Sequence, residues 1–433
     1  MADVVAANVG FVKSLSAAIR GQMWVCGKTA QLLRDLAQPP PAASPSPSPY
    51  VPEGCSQAAL EAVGDPACKR CAKHVAMQDH VTCVILYDGS VECAGDNTYG
   101  QLGRGKADSD DHPLIQAAHV LAGMTISSVG TGGAFTCVLA APTQGNKVYC
   151  FGRGRSGNLG NGDSKASAAP VAVLGLRQSS RIIQLAIGSE ACVLYAAPEE
   201  GSSSAVQCWG GEYGPVAVNV PNTANVTYLA VGLHRTCALL ANHSVACWSY
   251  PLPPAAVPGL GSEASGVVTR ISLAGSPLRS RSTVACGTVR GSAGSSLWCW
   301  GKDDLLSDSE LPWKVTALPG DVVDVALGWG HACALVKSEA GTGGEVYCWG
   351  QNSAGELGQG YSNGTLDHSR THTTQRVRGL SNVTAVFAGR SSTCAVTAAQ
   401  RVLCWGLNIA GSLGTGYQLQ ELTGPIAMQG LCA

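Results

Sequence analysis

One arrangement recurs seven times along this chain and limits the folds open to it: two short apolar segments around a glycine-rich or polar turn, with a cysteine on each arm. The pairs are Cys83 and Cys93, Cys137 and Cys150, Cys192 and Cys208, Cys237 and Cys247, Cys286 and Cys299, Cys333 and Cys348, and Cys394 and Cys404. Each copy reads as two strands of an antiparallel β-hairpin. Successive first cysteines are separated by 54, 55, 45, 49, 47 and 61 residues. That period suits a four-stranded blade and exceeds most helical repeats. The fold expected is all-β, a seven-bladed β-propeller of four-stranded antiparallel blades.

The hairpin register follows from the tightest copies. Cys83 and Cys93 are symmetric about Asp88, Cys237 and Cys247 about Asn242, and Cys394 and Cys404 about Ala399. A register centred there sets each pair opposite. At a non-hydrogen-bonded antiparallel position the Cα atoms lie about 4.5 Å apart, within reach of a disulfide. Tyr87, Asp88 and Gly89 suit a three-residue loop with glycine in the left-handed position. Seven intrablade disulfides are predicted.

The segments after the second cysteines carry a further signal. CAGDNTYGQLGRG (from Cys93), CFGRGRSGNLGNG (from Cys150), CWGQNSAGELGQG (from Cys348) and CWGLNIAGSLGTG (from Cys404) resemble the repeat of the regulator of chromosome condensation family. The resemblance spans about residues 72 to 432 and implies a seven-bladed β-propeller. Blades three to five keep the hairpin but lose most of this loop. A cysteine pair in every copy makes the chain similar to the repeats in ectodomains of plant Crinkly-type receptor kinases. Fold transfers along such a resemblance far better than function.

Closure of the ring is read from the ends. The C-terminal segment GPIAMQGLCA (Gly424 to Ala433) matches PVAVLGL (Pro170 to Leu176) and TQRVRGL (Thr374 to Leu380), read as the strands that open blades. The first blade starts without such a strand. The C-terminal strand is therefore expected to join the N-terminal blade and close the ring, removing exposed sheet edges. Cys432 would then bridge to Cys68 or Cys71, with Cys55 taking the other and Cys26 left odd. The Cys68-Lys69-Arg70-Cys71 spacing lacks the second pair that a zinc site needs, so disulfides are the reading preferred over metal or redox chemistry.

Residues 1–38 read as a weakly amphipathic helix or a targeting segment, residues 39–54 as a proline- and serine-rich linker of polyproline II character, and residues 55–433 as the propeller. No run of 18 apolar residues marks a membrane helix. Charged residues make up only 13% and the net charge is −1, which leaves no basic face for nucleic acid. No nucleophile elbow, phosphate-binding loop or metal-binding HExxH motif occurs, so neither catalysis nor a cofactor is expected.

Trp209, Trp248, Trp300, Trp349 and Trp405 each follow a second cysteine, where the expected role is packing between blades. His80, His234 and His331 precede first cysteines and read as structural. Sequons at Asn225, Asn242, Asn363 and Asn382 agree with passage through the secretory pathway as a glycoprotein. The function expected is non-catalytic recognition of a protein or glycan at the cell surface, in the wall or outside the cell, through rim loops that include Trp313, Trp329 and Tyr361. The alternatives are a guanine-nucleotide exchange factor for a small GTPase and an extracellular enzyme inhibitor.

Overall fold

A computed structural model describes residues 70–431 apart from residues 179, 197–205, 224, 262–265, 275–282, 293, 302–308, 310, 339–342 and 365–370. The segments 1–38 and 39–54 lie outside the described residues, as do Cys26, Cys55, Cys68 and Cys432.

Seven antiparallel units of four consecutive strands make up the described chain. Blade 1 is β1 (Ala72–Gln78), β2 (Val81–Leu86), β3 (Val91–Gly95) and β4 (His112–Ala117). Blade 2 is β5 (Ile126–Thr131), β6 (Phe135–Ala140), β7 (Val148–Gly152) and β8 (Ser167–Ala172). Blade 3 is β9 (Ile182–Ile187), β10 (Ala191–Tyr195), β11 (Val206–Trp209) and β12 (Val218–Asn219). Blade 4 is β13 (Val226–Val231), β14 (Thr236–Leu240), β15 (Val245–Trp248) and β16 (Ala255–Ala256). Blade 5 is β17 (Val267–Leu273), β18 (Ala285–Gly291), β19 (Gly294–Trp300) and β20 (Trp313–Val315). Blade 6 is β21 (Val322–Leu327), β22 (His331–Lys337), β23 (Gly344–Gly350) and β24 (Thr371–Arg376). Blade 7 is β25 (Val383–Ala388), β26 (Ser392–Thr397), β27 (Val402–Leu407) and β28 (Glu421–Ala427). Blades 6 and 7 share one sheet through the pairing of Gly344 with Val383. Where the glycine-punctuated loop is lost, in blades 3 to 5, the fourth strand shrinks to two or three residues.

The first strands of the blades, β1 through β25, surround a central channel, and each contacts the next around the ring. In every blade the two central strands set the cysteines directly opposite, as Cys83 with Cys93 and Cys394 with Cys404. The seven hairpin pairs are bridged, with Cα atoms 4.0 to 4.1 Å apart. Cys71 is disulfide-bonded as well. Every other described cysteine pairs inside a blade.

The expected mode of closure is corrected. The strand β28 pairs with β27 of its own blade, in the register Leu403 with Ala427, and the N-terminal blade has its own four strands. Likewise β8, read from sequence as opening a blade, closes the preceding one by pairing with β7. The cause is the phase of a tandem repeat, which its period does not define. The local connection through the loop after the second cysteine decides it, because consecutive strands pair most readily.

Closure therefore repeats the contact made at other interfaces. In blade 6, Gly355 has φ +83° and a Cβ there would stand 2.7 Å from Cα of Thr423 in β28 of blade 7. In blade 7, Gly411 has φ +70° and a Cβ would stand 2.2 Å from Cα of Pro113 in β4 of blade 1. Only glycine admits both the left-handed backbone and that approach. The amide of Gly416 adds a bond to the carbonyl of Pro113 (2.8 Å), and Arg70 donates to the carbonyl of Gly430 (2.7 Å).

The core is distributed over the interfaces. Val81, Ile85 and Leu102 of blade 1 pack with Ile126 and Phe151 of blade 2, and the same pattern recurs around the ring to Leu413 and Met428 of blade 7 against Val75 and Leu86 of blade 1. The cysteine pairs lie inside these clusters, and so do the expected tryptophans. Trp209 donates to the carbonyl of Asn158 in the preceding blade (3.1 Å), Trp405 to that of Glu356 (2.8 Å), and Trp248 to the hydroxyl of Tyr213 (2.9 Å). An indole that fills an interface and also finds a polar partner satisfies both halves of its chemistry.

Candidate functional site

Two places on the scaffold bring polar side chains from several blades together. The first is the central channel, a cavity of about 800 Å³. Every inner strand carries a bulge near its start, seen as the slip between Ala72 and His74 or between Val322 and Asp324. The extra residue re-aims the side chains that follow. Gln184, Tyr228, Arg270 and Asp324 line the channel from blades 3 to 6. The Gln184 amide is spent on the next blade, donating to the carbonyl of Leu229 and accepting from its N–H, both at 2.8 Å. Arg270 Nε lies 3.9 Å from Asp324 Oδ1. Burial pushes the Asp324 carboxyl up from its ordinary value, against the pull of the Arg270 charge, and burial likewise raises Tyr228.

The opposite wall is aromatic. The His74 ring meets Phe387 of blade 7 edge-on, with centroids 5.7 Å apart and planes at 89°. Burial, aided by the Lys73 charge, holds His74 down at about 4, so it is a neutral ring at physiological pH.

The second place is a rim, where turns between first and second strands of blades 6, 7 and 1 converge. Arg390 lies 4.0 Å over the Trp329 ring, and its guanidinium is 3.0 Å from Asp79 Oδ1. The Trp329 amide donates to the Arg390 carbonyl (2.9 Å), and His80 Nε2 is 3.5 Å from Asp79. A guanidinium held by a carboxylate and an indole face is tied more firmly than by either alone.

The residues singled out in the sequence separate as follows. Asn225, Asn242, Asn363 and Asn382 are all exposed. Tyr361 is exposed, Trp313 is half-buried, and Trp329 lies half-buried beneath Arg390. His331 is buried, bonds Thr393 Oγ1 at 2.8 Å, and is lowered by burial to about 4.

Sequence reasoning missed the asparagines that fix the repeat loops. Asn97, Asn352 and Asn408 are buried, and each side-chain oxygen accepts from an amide five residues on, that of Leu102, Leu357 or Leu413 (3.0 to 3.2 Å). Each side-chain nitrogen donates to a loop carbonyl, as Asn408 does to those of Tyr417 and Leu419 at 2.9 Å. The recurring Asn-x-x-Gly-x-Leu-Gly was visible, and its mechanism is this pin. Glu356 was also missed. It is buried in one such loop, accepts from the amide of Ala354 at 2.7 Å, and is raised by burial to about 7. The matching residue of blade 1 is the neutral Gln101.

With the geometry in place, comparison with known proteins identifies the repeat. Models of the regulator of chromosome condensation (RCC1) repeat match residues 146–195 and 343–396, and a second model of the same repeat matches 322–356. The Ultraviolet-B receptor UVR8 of Arabidopsis thaliana is 29% identical over 364 residues, covering 78% of each chain. The solved structure of Prp20p from Saccharomyces cerevisiae, a protein with binding properties to Gsp1p and histones, superposes with a TM-score of 0.62 at 17% identity, over 83% of this chain and 88% of that one. The ectodomain of the Physcomitrella patens receptor kinase CR4 superposes at only 0.45 with 17% identity, over 77% and 71% of the two chains, too remote to carry an argument. The chain is thus a seven-bladed β-propeller that contains regulator of chromosome condensation repeats at residues 146–195 and 322–396.

Proposed function

We propose that this propeller is a non-catalytic recognition protein of the secretory pathway, displayed outside the cell or at its surface, that binds a protein partner through the loops of one rim. The observation that carries the reading is the burial of a cysteine pair in the core of every blade. Disulfides of this density persist in oxidising compartments and are rare in the cytosol and nucleus. The four exposed sequon asparagines support the same route. The rim is favoured because Trp329, Arg390 and Asp79 of three blades converge there, and side chains presented by turns on a rigid scaffold suit recognition.

The test is fractionation of the protein's own host cells under conditions that trap thiols, followed by non-reducing electrophoresis. The reading expects the chain in the extracellular or surface fraction with its hairpin cysteines oxidised. Recovery from nucleus or cytosol with free thiols would overturn it. Nucleotide exchange on small GTPases, the activity class suggested by relatives such as the human RCC1-like G exchanging factor-like protein, would then be the assay to run.

A further inference from the structure

We propose that the central channel is a binding site for a small organic anion that carries an aromatic ring. The site is distinct from the rim loops and does not depend on their role. Three observations converge on it.

The first is space, since about 800 Å³ lies within the range of small-molecule pockets, about 300–1,000 Å³. The second is charge. Among the described lining residues, Lys73, Arg181 and Arg270 are cations and Asp324 is the one carboxylate, which leaves an excess of two positive charges. Arg270 is the best placed. Its side chain keeps 36% of its surface accessible although it stands on an inner strand, so that surface looks into the channel. Its contact with Asp324, at 3.9 Å, is an ion pair too long for a hydrogen bond. A guanidinium has five N–H donors in a planar fork that matches a carboxylate. Here Arg270 lines the open volume together with Tyr228 of the adjoining inner strand.

The third observation is the facing wall. Phe387 and the neutral ring of His74 stand edge to face at 5.7 Å on blades 7 and 1. A ligand ring can extend this pair while its carboxylate reaches Arg270. Cationic ligands meet the excess positive charge, and purely apolar ones offer the guanidinium donors no acceptor, at a cost in affinity. The chemistry selected is therefore an aryl carboxylate or a close relative.

The experiment is calorimetric titration of the purified, oxidised protein with 2-naphthoate and with its uncharged counterpart 2-naphthamide. Naphthoate should bind, and naphthamide should bind about tenfold more weakly or worse, the worth of one charge-assisted contact. Arg270→Gln should weaken naphthoate by a similar factor, and Phe387→Leu should weaken both probes alike. Asp324→Asn should strengthen naphthoate, because it removes the carboxylate that competes for Arg270. A misfolded variant cannot bind more tightly, so that arm separates the site from a loss of structure. The proposal fails if naphthoate shows no saturable binding below about 10 mM, weaker than any specific site of this kind. It fails equally if Arg270→Gln and Asp324→Asn both bind as the parent protein does.

Discussion

Removing one hairpin bridge tests how much of the fold's stability the cysteines supply. The double variant Cys394→Ala/Cys404→Ala opens a bridge between residues 10 apart in sequence. In the chain-entropy account, closing a loop of that size restricts the unfolded state by about 3 kcal/mol. Both cysteines are fully buried, in the cluster that joins Val396 and Leu413 of blade 7 to Val75 and Leu86 of blade 1. Truncation there leaves a small apolar void, adding about 1 kcal/mol. The expected loss is therefore about 4 kcal/mol, large against the 5–15 kcal/mol typical of native proteins. Urea unfolding followed by tryptophan fluorescence measures it, with Trp405 beside Cys404 as a local reporter. The corresponding change at Cys192 and Cys208, 16 residues apart, should cost only a few tenths of a kcal/mol more, because closure entropy grows slowly with length. A loss under about 1 kcal/mol would refute the reasoning, since an average point substitution costs about as much.

Further perturbations address the loops, the closure and the pH response. Asn408→Ala removes a buried side chain that holds three backbone groups and should cost about 2–4 kcal/mol by thermal or urea unfolding, whereas a cost near zero would mean water replaces the pin. Gly411→Ala, with φ +70° and a Cβ that would meet Pro113, should cost more than about 2 kcal/mol and expose the seam between blades 7 and 1 to limited proteolysis first. His331 falls from its ordinary 6.5 to about 4 on folding, so its contribution is complete above pH 6.5 and is lost as pH falls towards 4. His331→Gln should flatten the stability profile across that window. Glu356 rises from 4.5 to about 7, so the folded state holds its proton and stability is lost as pH rises from 4.5 to 7. Glu356→Gln, which copies Gln101 of blade 1, should be more stable than the parent at pH 8, and equal stability there would contradict the burial argument.

What could be read from the sequence follows from how locally each feature is specified. The hairpins were legible because both cysteines and the turn lie within 10 to 16 residues, so symmetry about Asp88 or Ala399 fixes the register. The blade boundaries were misplaced by one strand, because β8 and β28 have the same spacing whether they open a blade or close one. The interface tryptophans were legible from their fixed place after the second cysteine. The channel was not, because His74, Arg270 and Asp324 are far apart in sequence and are aligned only by the bulge at the start of each inner strand. The pair of Arg390 with Asp79 joins residues 311 positions apart and exists only once the ring closes.

The central claim is that this repeat fold is held by cysteine pairs and therefore matures in an oxidising compartment. Intact mass before and after reduction and alkylation, with peptide mapping of the bridges, on protein isolated from its own host, tests it most directly. The account predicts at least seven bridges, mapped as Cys83 with Cys93 through Cys394 with Cys404. A chain whose hairpin cysteines are alkylated without reduction would contradict it.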